Sequence, residues 1–451
     1  MTEPGPSLTT RLMRYGRVGL ALARFLSSLA GDRYLGAHRD PAELARALRQ
    51  DLGELRGPIV KVAQLLATVP GALPTAYVTE LASLQSQAPP MGWPFVRRRM
   101  AGELGPQWET RFARFEHAAA AAASLGQVHQ AVGHDGRILA CKLQYPDMEA
   151  VVDADLSGLD VALRIFHQLR PPLIMGQVRA EMEARLREEL DYTLEARHMA
   201  LFRDILRDEP LLSVPEPVWP LTTKRLLTMS WLEGRPVLDL TAASERAKVA
   251  KTLFRAWYVP FFHYGVLHGD PHLGNYTVRA DGGLNLLDFG CVRIFPPALV
   301  QGVIDLYEAV RTGNTDLAAH AYRTWHFQHL TKEVLHALNT WASYMFEPLV
   351  ENKQRTFGDL TGDLPGREVA ERVIAELHRA GGIDVPREFV IMDRAAIGLG
   401  AVFLRLQAEV NWHRLFGDMV AGFDIDALRE RQAAMLEKHQ LLAPAEKPPH
   451  P

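Results

Sequence analysis

Two short stretches constrain this chain more than anything else in it: His268-Gly269-Asp270-Pro271-His272-Leu273-Gly274-Asn275 and Leu286-Leu287-Asp288-Phe289-Gly290. An Asp, a carboxamide five positions on, and a second Asp ending an apolar run form a set suited to phosphoryl transfer. One carboxylate, Asp270, sits where an attacking oxygen loses its proton. The Asn275 carbonyl oxygen and the Asp288 carboxylate then hold Mg²⁺ against phosphates. Either piece alone is a common turn, but the two in order, with only Tyr276 to Leu287 between them, are far more specific. The interval fits a hairpin: Tyr276-Thr277-Val278-Arg279 as one strand, Ala280-Asp281-Gly282-Gly283 as the turn, and Leu284 to Leu287 as the other strand. A hairpin brings Asn275 and Asp288 to the same end. His268 and His272 lack a third soft ligand nearby, so His268 is read as bracing the loop. Cys291 is read as a small buried residue.

A nucleotide site also needs a cation. Leu139-Ala140-Cys141-Lys142-Leu143-Gln144 sets Lys142 inside a short apolar strand, where a buried ammonium requires an acidic partner. Downstream, Glu188-Glu189-Leu190-Asp191-Tyr192-Thr193-Leu194-Glu195 reads as helix. Asp191 and Glu195 then share a face, while Glu189 points roughly 200° away from Asp191. Glu195 is the first candidate partner of Lys142 and Glu189 the second; a solvated acidic face is the plain alternative. No G-x-G-x-x-G precedes Lys142. In its place stand Ala118 to Ala123 and then Ser124-Leu125-Gly126-Gln127-Val128-His129. Methyl groups restrict a backbone that glycines would let approach phosphates, which implies altered nucleotide handling. By propensity alone, a run of alanines is helix. Far upstream, Gly57-Pro58-Ile59-Val60-Lys61-Val62-Ala63-Gln64 reads as a helix start with Lys61 and Gln64 on one face.

At 451 residues, 47% of them hydrophobic, the chain has material for two or three domains or one bilobal enzyme with extensions. A net charge of -3 gives no basic footprint for nucleic acid. Cys141 and Cys291 are not expected to pair, which fits a reducing, cytoplasmic setting. No secretory signal and no apolar run long enough to cross a bilayer is visible. Arg11, Arg14, Arg17 and Arg24 alternate with apolar residues near the start. This basic amphipathic helix packs on its own protein or makes a peripheral contact with an anionic membrane.

These pieces, in this order, resemble the atypical kinase family that contains UbiB, AarF and the ADCK proteins. The resemblance runs over about residues 50–300. Lys61-Val62-Ala63-Gln64 is similar to the family's KxGQ motif, with Ala63 in place of its glycine. Ala121-Ala122-Ala123-Ser124 resembles the alanine-rich loop and Glu189-Leu190-Asp191 the ExD motif. His268 to Asn275 resembles the catalytic loop, with Leu273 in place of the usual proline. The resemblance implies ATP and Mg²⁺ as cofactors, with Ala121, Ala122, Ala123 and Ser124 over the nucleotide. It further implies Lys142 on the phosphates and paired with Glu195, Asp270 as the catalytic Asp, and Asn275 and Asp288 as metal ligands. Glu189 and Asp191 would instead face Lys61 and Gln64. It also implies ATPase activity and a role in isoprenoid-quinone or lipid metabolism, with a lipid or quinone-precursor ligand, often at a membrane.

The expected fold is α+β: a bilobal protein-kinase-like fold with an N-terminal helical extension (1–105) and a strand-rich small lobe with inserted helices (106–235). A helical large lobe (236–440) and a disordered tail (441–451) follow. Two other readings remain: a small-molecule phosphotransferase of the aminoglycoside or macrolide type, and a non-catalytic scaffold for nucleotide or lipid. Lys61, Gln64 and the alanine loop favour the UbiB-type reading over the first of these. Joint retention of Lys142, Glu195, Asp270, Asn275 and Asp288 argues against the second.

Overall fold

The computed structural model describes residues 43, 45–47, 49–50, 91–123, 125–153, 156, 183, 186–357 and 366–441. Lys61, Gln64, Ser124, the basic N-terminal segment and residues 442–451 lie outside the described residues. The described strands are β1 (Arg114–Ala123), β2 (Gly126–Val132), β3 (Ile138–Gln144), β4 (Leu212–Ser213) and β5 (Leu226–Ser230). They continue as β6 (Arg235–Pro236), β7 (Val266–His268), β8 (Tyr276–Val278), β9 (Leu284–Leu286) and β10 (Val292–Ile294). The longer helices are α1 (Trp93–Leu104), α2 (Tyr192–Ile205), α3 (Ala243–Tyr264), α4 (Pro297–Thr312) and α5 (Thr315–Thr324). After these come α6 (Lys332–Val350), α7 (Arg367–Arg379), α8 (Arg387–Leu406), α9 (Trp412–Val420) and α10 (Ile425–Lys438). The chain divides into two compact units, Met1–Leu194 with Pro217–Trp231, and Glu195–Glu216 with Leu232–Pro451.

The first unit is built on an antiparallel sheet in the order β1-β2-β3-β5. Because side chains alternate along a strand, β3 has two inward faces. Leu139, Cys141 and Leu143 join Val96 and Met100 of α1, Trp108, Phe112 and Leu226 in one apolar core. Ala140, Lys142 and Gln144 occupy the other face. α1 starts with Pro94 in its first turn, where a missing N–H does no harm, and stops at Gly105 with φ 90°. Val96 and Met100, one turn apart, are its buried stripe.

The alanine run is a strand rather than a helix. Ala118 to Ala123 lie in β1, with Ala121, Ala122 and Ala123 opposite Val128, Gln127 and Gly126 of β2. The register shifts between Phe115 and Ala119 and again between Ala119 and Ala121. Pairing with β2 on both sides of these shifts overrides a preference worth only tenths of a kcal/mol per residue. Gly126 has no substitute here, since a Cβ on it would run into the Leu143 carbonyl of β3.

The second unit is mostly helical over its described residues, as expected of the C-terminal region, and carries a small sheet β4-β9-β8-β6 and the pair β10-β7. Its core is aromatic: Phe254, Phe261 and Phe262 of α3 are at most 1% exposed. Phe262 stacks edge-on against Phe416 of α9 at 5.5 Å, and Phe254 lies 6.0 Å from Trp412. α3 ends at Gly265 (φ 63°), whose N–H bonds back to the Phe261 carbonyl, and the chain turns directly into β7.

Candidate active site

In the first unit the site residue is Lys142. It sits on a central strand, opposite Val128 on one side and Leu227 on the other, and Val128 is itself opposite Ala121. Directly opposed residues share a face, so Ala121, Val128, Lys142 and Leu227 form one row across the sheet. Lys142 is 7% exposed, and its Nζ lies 5.1 Å from the centroid of the Tyr192 ring, a cation–π distance. The arrangement sets the Lys142 amine in a row of apolar side chains, with Ala121 at its outer end. Cys141, one position back, points into the core, where burial pushes its thiol up to about 12. Cys141 and Cys291 are both free thiols, as expected.

The acidic run before α2 is not one helix. Asp191 lies between a helical turn at 186–189 and the start of α2. Its Oδ1 accepts the N–H groups of Thr193 and Leu194 at 3.0 and 3.2 Å, together with the Thr193 hydroxyl. An Asp at this point satisfies donors that a new helix leaves orphaned, so it starts α2 rather than continuing the run. Glu189 belongs to the preceding turn. Glu195 falls in the first turn of α2 and is 3% exposed. The expected partners of Glu189 and Asp191, Lys61 and Gln64, lie outside the described residues.

On the core face of β2, a buried polar chain escaped the sequence reading. The Met91 N–H donates to Gln127 Oε1, and Gln127 Nε2 donates to His129 Nε2 at 2.7 Å. His129 Nδ1 in turn donates to the Glu116 carbonyl at 2.9 Å. His129 is 0% exposed, and burial holds its imidazole below the ordinary range. The available signal was period two: Gln127 and His129 alternate on the face that also carries Ala131.

In the second unit, the two motifs meet as the hairpin spacing requires. Tyr276 pairs with Leu286 and Val278 with Leu284, while the Leu287 N–H bonds to the Asn275 carbonyl at 2.9 Å. Asn275 and Asp288 therefore leave the hairpin at the same end. Tyr276 is fully buried; burial and the nearby Asp270 and Asp288 carboxylates all push its phenol well up. Its hydroxyl is held by Trp257 Nε1 at 3.0 Å.

Histidines brace the surrounding backbone. His268 Nε2 donates to the Asp288 carbonyl at 2.6 Å, and its Nδ1 accepts the Asp270 N–H at 3.3 Å. His268 is thus the loop brace that the sequence suggested. His272 Nδ1 accepts the Gly274 N–H at 3.0 Å. His198 of α2, which the sequence reading missed, donates from Nδ1 to the Phe289 carbonyl at 3.2 Å. Burial lowers the His198 imidazole to about 4, so it is neutral in this role. Two successive carbonyls of the Asp288-Phe289-Gly290 segment are therefore held by imidazoles. The Phe289 ring, 0% exposed, sits 5.2 Å from Phe202.

The donor chemistry fits a hard cation. Asn275 Nδ2 is committed to the Asp270 carbonyl at 3.1 Å, which leaves its side-chain oxygen as the group's acceptor. Asp288 Oδ1 accepts the Gly290 N–H at 2.9 Å, which fixes the rotation of the carboxylate. Two protein oxygens are what Mg²⁺ takes when phosphates and water complete its shell. Among the described residues, no group of three or more His, Cys, Asp or Glu side chains is placed to hold a metal. Among them, too, no helix is long and apolar enough to cross a membrane.

Known proteins match this pattern. A Synechocystis protein, slr0889, is 31% identical over 279 residues, covering 58% of this chain and 68% of its own length. The mitochondrial atypical kinase COQ8 of Saccharomyces cerevisiae is 31% identical over 54% of this chain and 49% of its own. Mouse AarF domain-containing protein kinase 1 is 34% identical over 53% and 47%. The chain thus spans about two thirds of the cyanobacterial relative and about half of the other two. Among solved structures, the Rv3197–erythromycin complex of Mycobacterium tuberculosis has a TM-score of 0.58 and 27% identity, covering 82% of this chain and 94% of that one. The ABC1 atypical kinase-like domain matches residues 83–322, more than half of the sequence, and the chain belongs to that family, with its protein-kinase-like fold.

Proposed function

We propose that this protein is a Mg-ATP-dependent phosphotransferase or ATPase of the UbiB type that supports isoprenoid-quinone or other lipid metabolism. The observation that carries the reading is the hairpin flanked by Asn275 and Asp288, with Asp270 bound to it through its own carbonyl. In this reading Asp270 accepts the proton of the attacking oxygen. Asn275 and Asp288 supply the metal's protein ligands, and Lys142 neutralises phosphate charge. Glu195 keeps the role of acidic partner that the sequence assigns it. Bound Mg²⁺ would offset charge on the phosphates. Lys61 and Gln64 of the N-terminal extension remain candidates to face Glu189 and Asp191, and Ala121, Ala122, Ala123 and Ser124 remain candidates for the cover over the nucleotide. Peripheral membrane contact through the basic N-terminal segment belongs to the same proposal.

One observation favours a second reading. A structural relative was solved with a macrolide, so a small-molecule ligand or phosphate acceptor of that class is the alternative. The deciding experiment measures ATP hydrolysis by the purified protein with and without anionic liposomes and phenolic quinone-precursor mimics. Stimulation by either supports the lipid-linked reading. Phosphate transfer to erythromycin or an aminoglycoside replaces it with the second.

A further inference from the structure

The end of the helical region bonds to α2 and to the backbone on either side of the catalytic segments of the second unit, at Tyr264 and Phe295. α10 packs through Leu428 and Leu436, which are 0% and 2% exposed. Three of its polar side chains reach backbone or α2. Gln432, 5% exposed, donates from one Nε2 to the Tyr264 carbonyl at 2.9 Å and to the Phe295 carbonyl at 2.8 Å. Tyr264 ends α3, immediately before the strand that delivers His268 and Asp270. Phe295 follows β10, five residues beyond Gly290. Gly265 leaves room for this amide, since a Cβ there would collide with Gln432. Arg431 Nε adds a bond to the His263 carbonyl at 3.0 Å.

The same helix grips α2. Lys438 Nζ lies 2.7 Å from Asp204 Oδ2, and His439, just past the helix, donates from Nε2 to the same oxygen at 2.8 Å. Arg197 of α2 reaches the Gln440 carbonyl at 3.4 Å. Asp204 is six residues beyond His198, whose imidazole holds the Phe289 carbonyl. A displacement of α2 along its axis would therefore move Glu195 and His198 together.

We propose that α10 is a splint for the nucleotide site, with Asp204 and Gln432 as positioning residues that keep α2 and the Asp288-Phe289-Gly290 segment in fixed relation. The proposal deepens the Mg-ATP reading and rests on it for its kinetic consequence. Its structural consequence can be read independently.

The test compares wild type with Asp204→Asn, Gln432→Ala and the milder Lys438→Met. In ligand-free protein, amide hydrogen exchange over residues 194–202 and 286–291 should rise while exchange over β1, β2 and β3 stays unchanged. For ATP hydrolysis, kcat should fall about tenfold in Asp204→Asn with KM for ATP nearly constant, a size typical of coupling between distinct sites. The charge swap Asp204→Lys with Lys438→Asp should restore part of that loss. Exchange at 286–291 equal to wild type in all three variants overturns the splint, whatever the activity. A uniform rise in exchange, with kcat and melting temperature falling in step, reduces α10 to an ordinary structural helix and also overturns it. If Lys438→Met alone remains folded, its exchange pattern decides. Wild type that neither binds nor hydrolyses Mg-ATP removes the nucleotide reading and leaves the exchange result standing.

Discussion

His198 and Phe289, 91 residues apart in sequence, share a 3.2 Å hydrogen bond donated by an imidazole that burial keeps neutral at ordinary pH. Burial lowers the folded-state value to about 4 from an ordinary 6.5. The unfolded chain therefore binds a proton first as pH falls, and stability drops from about pH 6.5 towards pH 4. The full effect is about 3 kcal/mol for this group. His129, also lowered by burial, adds loss in the same direction. Urea melts between pH 7.5 and 4 should show this slope, and His198→Gln should flatten it. Equal slopes in the two proteins would remove His198 from the account.

The Gln127–His129 chain should matter to stability more than its surface neighbours do. Replacing Gln127 with Met leaves the His129 Nε2 and the Met91 N–H buried without their partner. Each such group costs about 1–3 kcal/mol. The urea midpoint should fall accordingly, with the nucleotide response retained if the variant is folded. A midpoint within error of wild type would mean that water replaces the amide.

Gly269 makes a close approach of another kind. Its N–H bonds to the Cys291 carbonyl at 2.6 Å, and a Cβ would sit 2.6 Å from Cys291 Sγ. Gly269→Ala should destabilise by about 1–3 kcal/mol through overpacking and should shift the neighbouring Asp270. Cys291→Ala in the same chain should recover part of that loss. A double mutant no better than the single one would show that backbone, not sulfur, sets the limit.

The candidate metal pair can be tested apart from turnover. Mg-ADP at a hundredfold excess over its Kd should stabilise wild type by about 2.7 kcal/mol. Asp288→Asn and Asn275→Ala should abolish that gain. Asp270→Asn should keep it while turnover falls by about 10²–10⁴-fold. Undiminished stabilisation of Asp288→Asn by Mg-ADP would falsify the metal role.

The cross-strand row offers a finer probe. Ala121→Gly frees the backbone two strands from Lys142 and removes a methyl from their common face. Nucleotide affinity, or the split between hydrolysis and autophosphorylation, should change. An identical profile would mean that the alanines lie elsewhere than over the phosphates.

What could be read from the sequence was local chemistry in fixed order. The hairpin between Asn275 and Asp288, the strand lysine and the bracing His268 each rest on spacing within a dozen residues. Apart from the Gln127–His129 pair, the residues missed act across long separations: His198 on Phe289, Gln432 on Phe295, and Asp204 on Lys438. No periodicity announces such pairs, because each member looks like an ordinary polar residue on a helix. At Ala118 to Ala123, pairing with β2 outweighs the helix propensity that was only the plain alternative there. One expectation failed for a sharper reason. The acidic run was read as one helix although Asp191 is better used as a cap.

A last consequence concerns the order in which the large unit can mature. Gly398 of α8 lies so close to the catalytic loop that a Cβ there would come within 2.5 Å of Pro271 Cγ, and α10 closes on the elements around that loop from still farther along the chain. As the nascent polypeptide leaves the ribosome, Asp270 emerges well over a hundred residues ahead of the helix that backs it. The loop must wait for distant contacts, a topology that slows folding and leaves apolar surface open meanwhile.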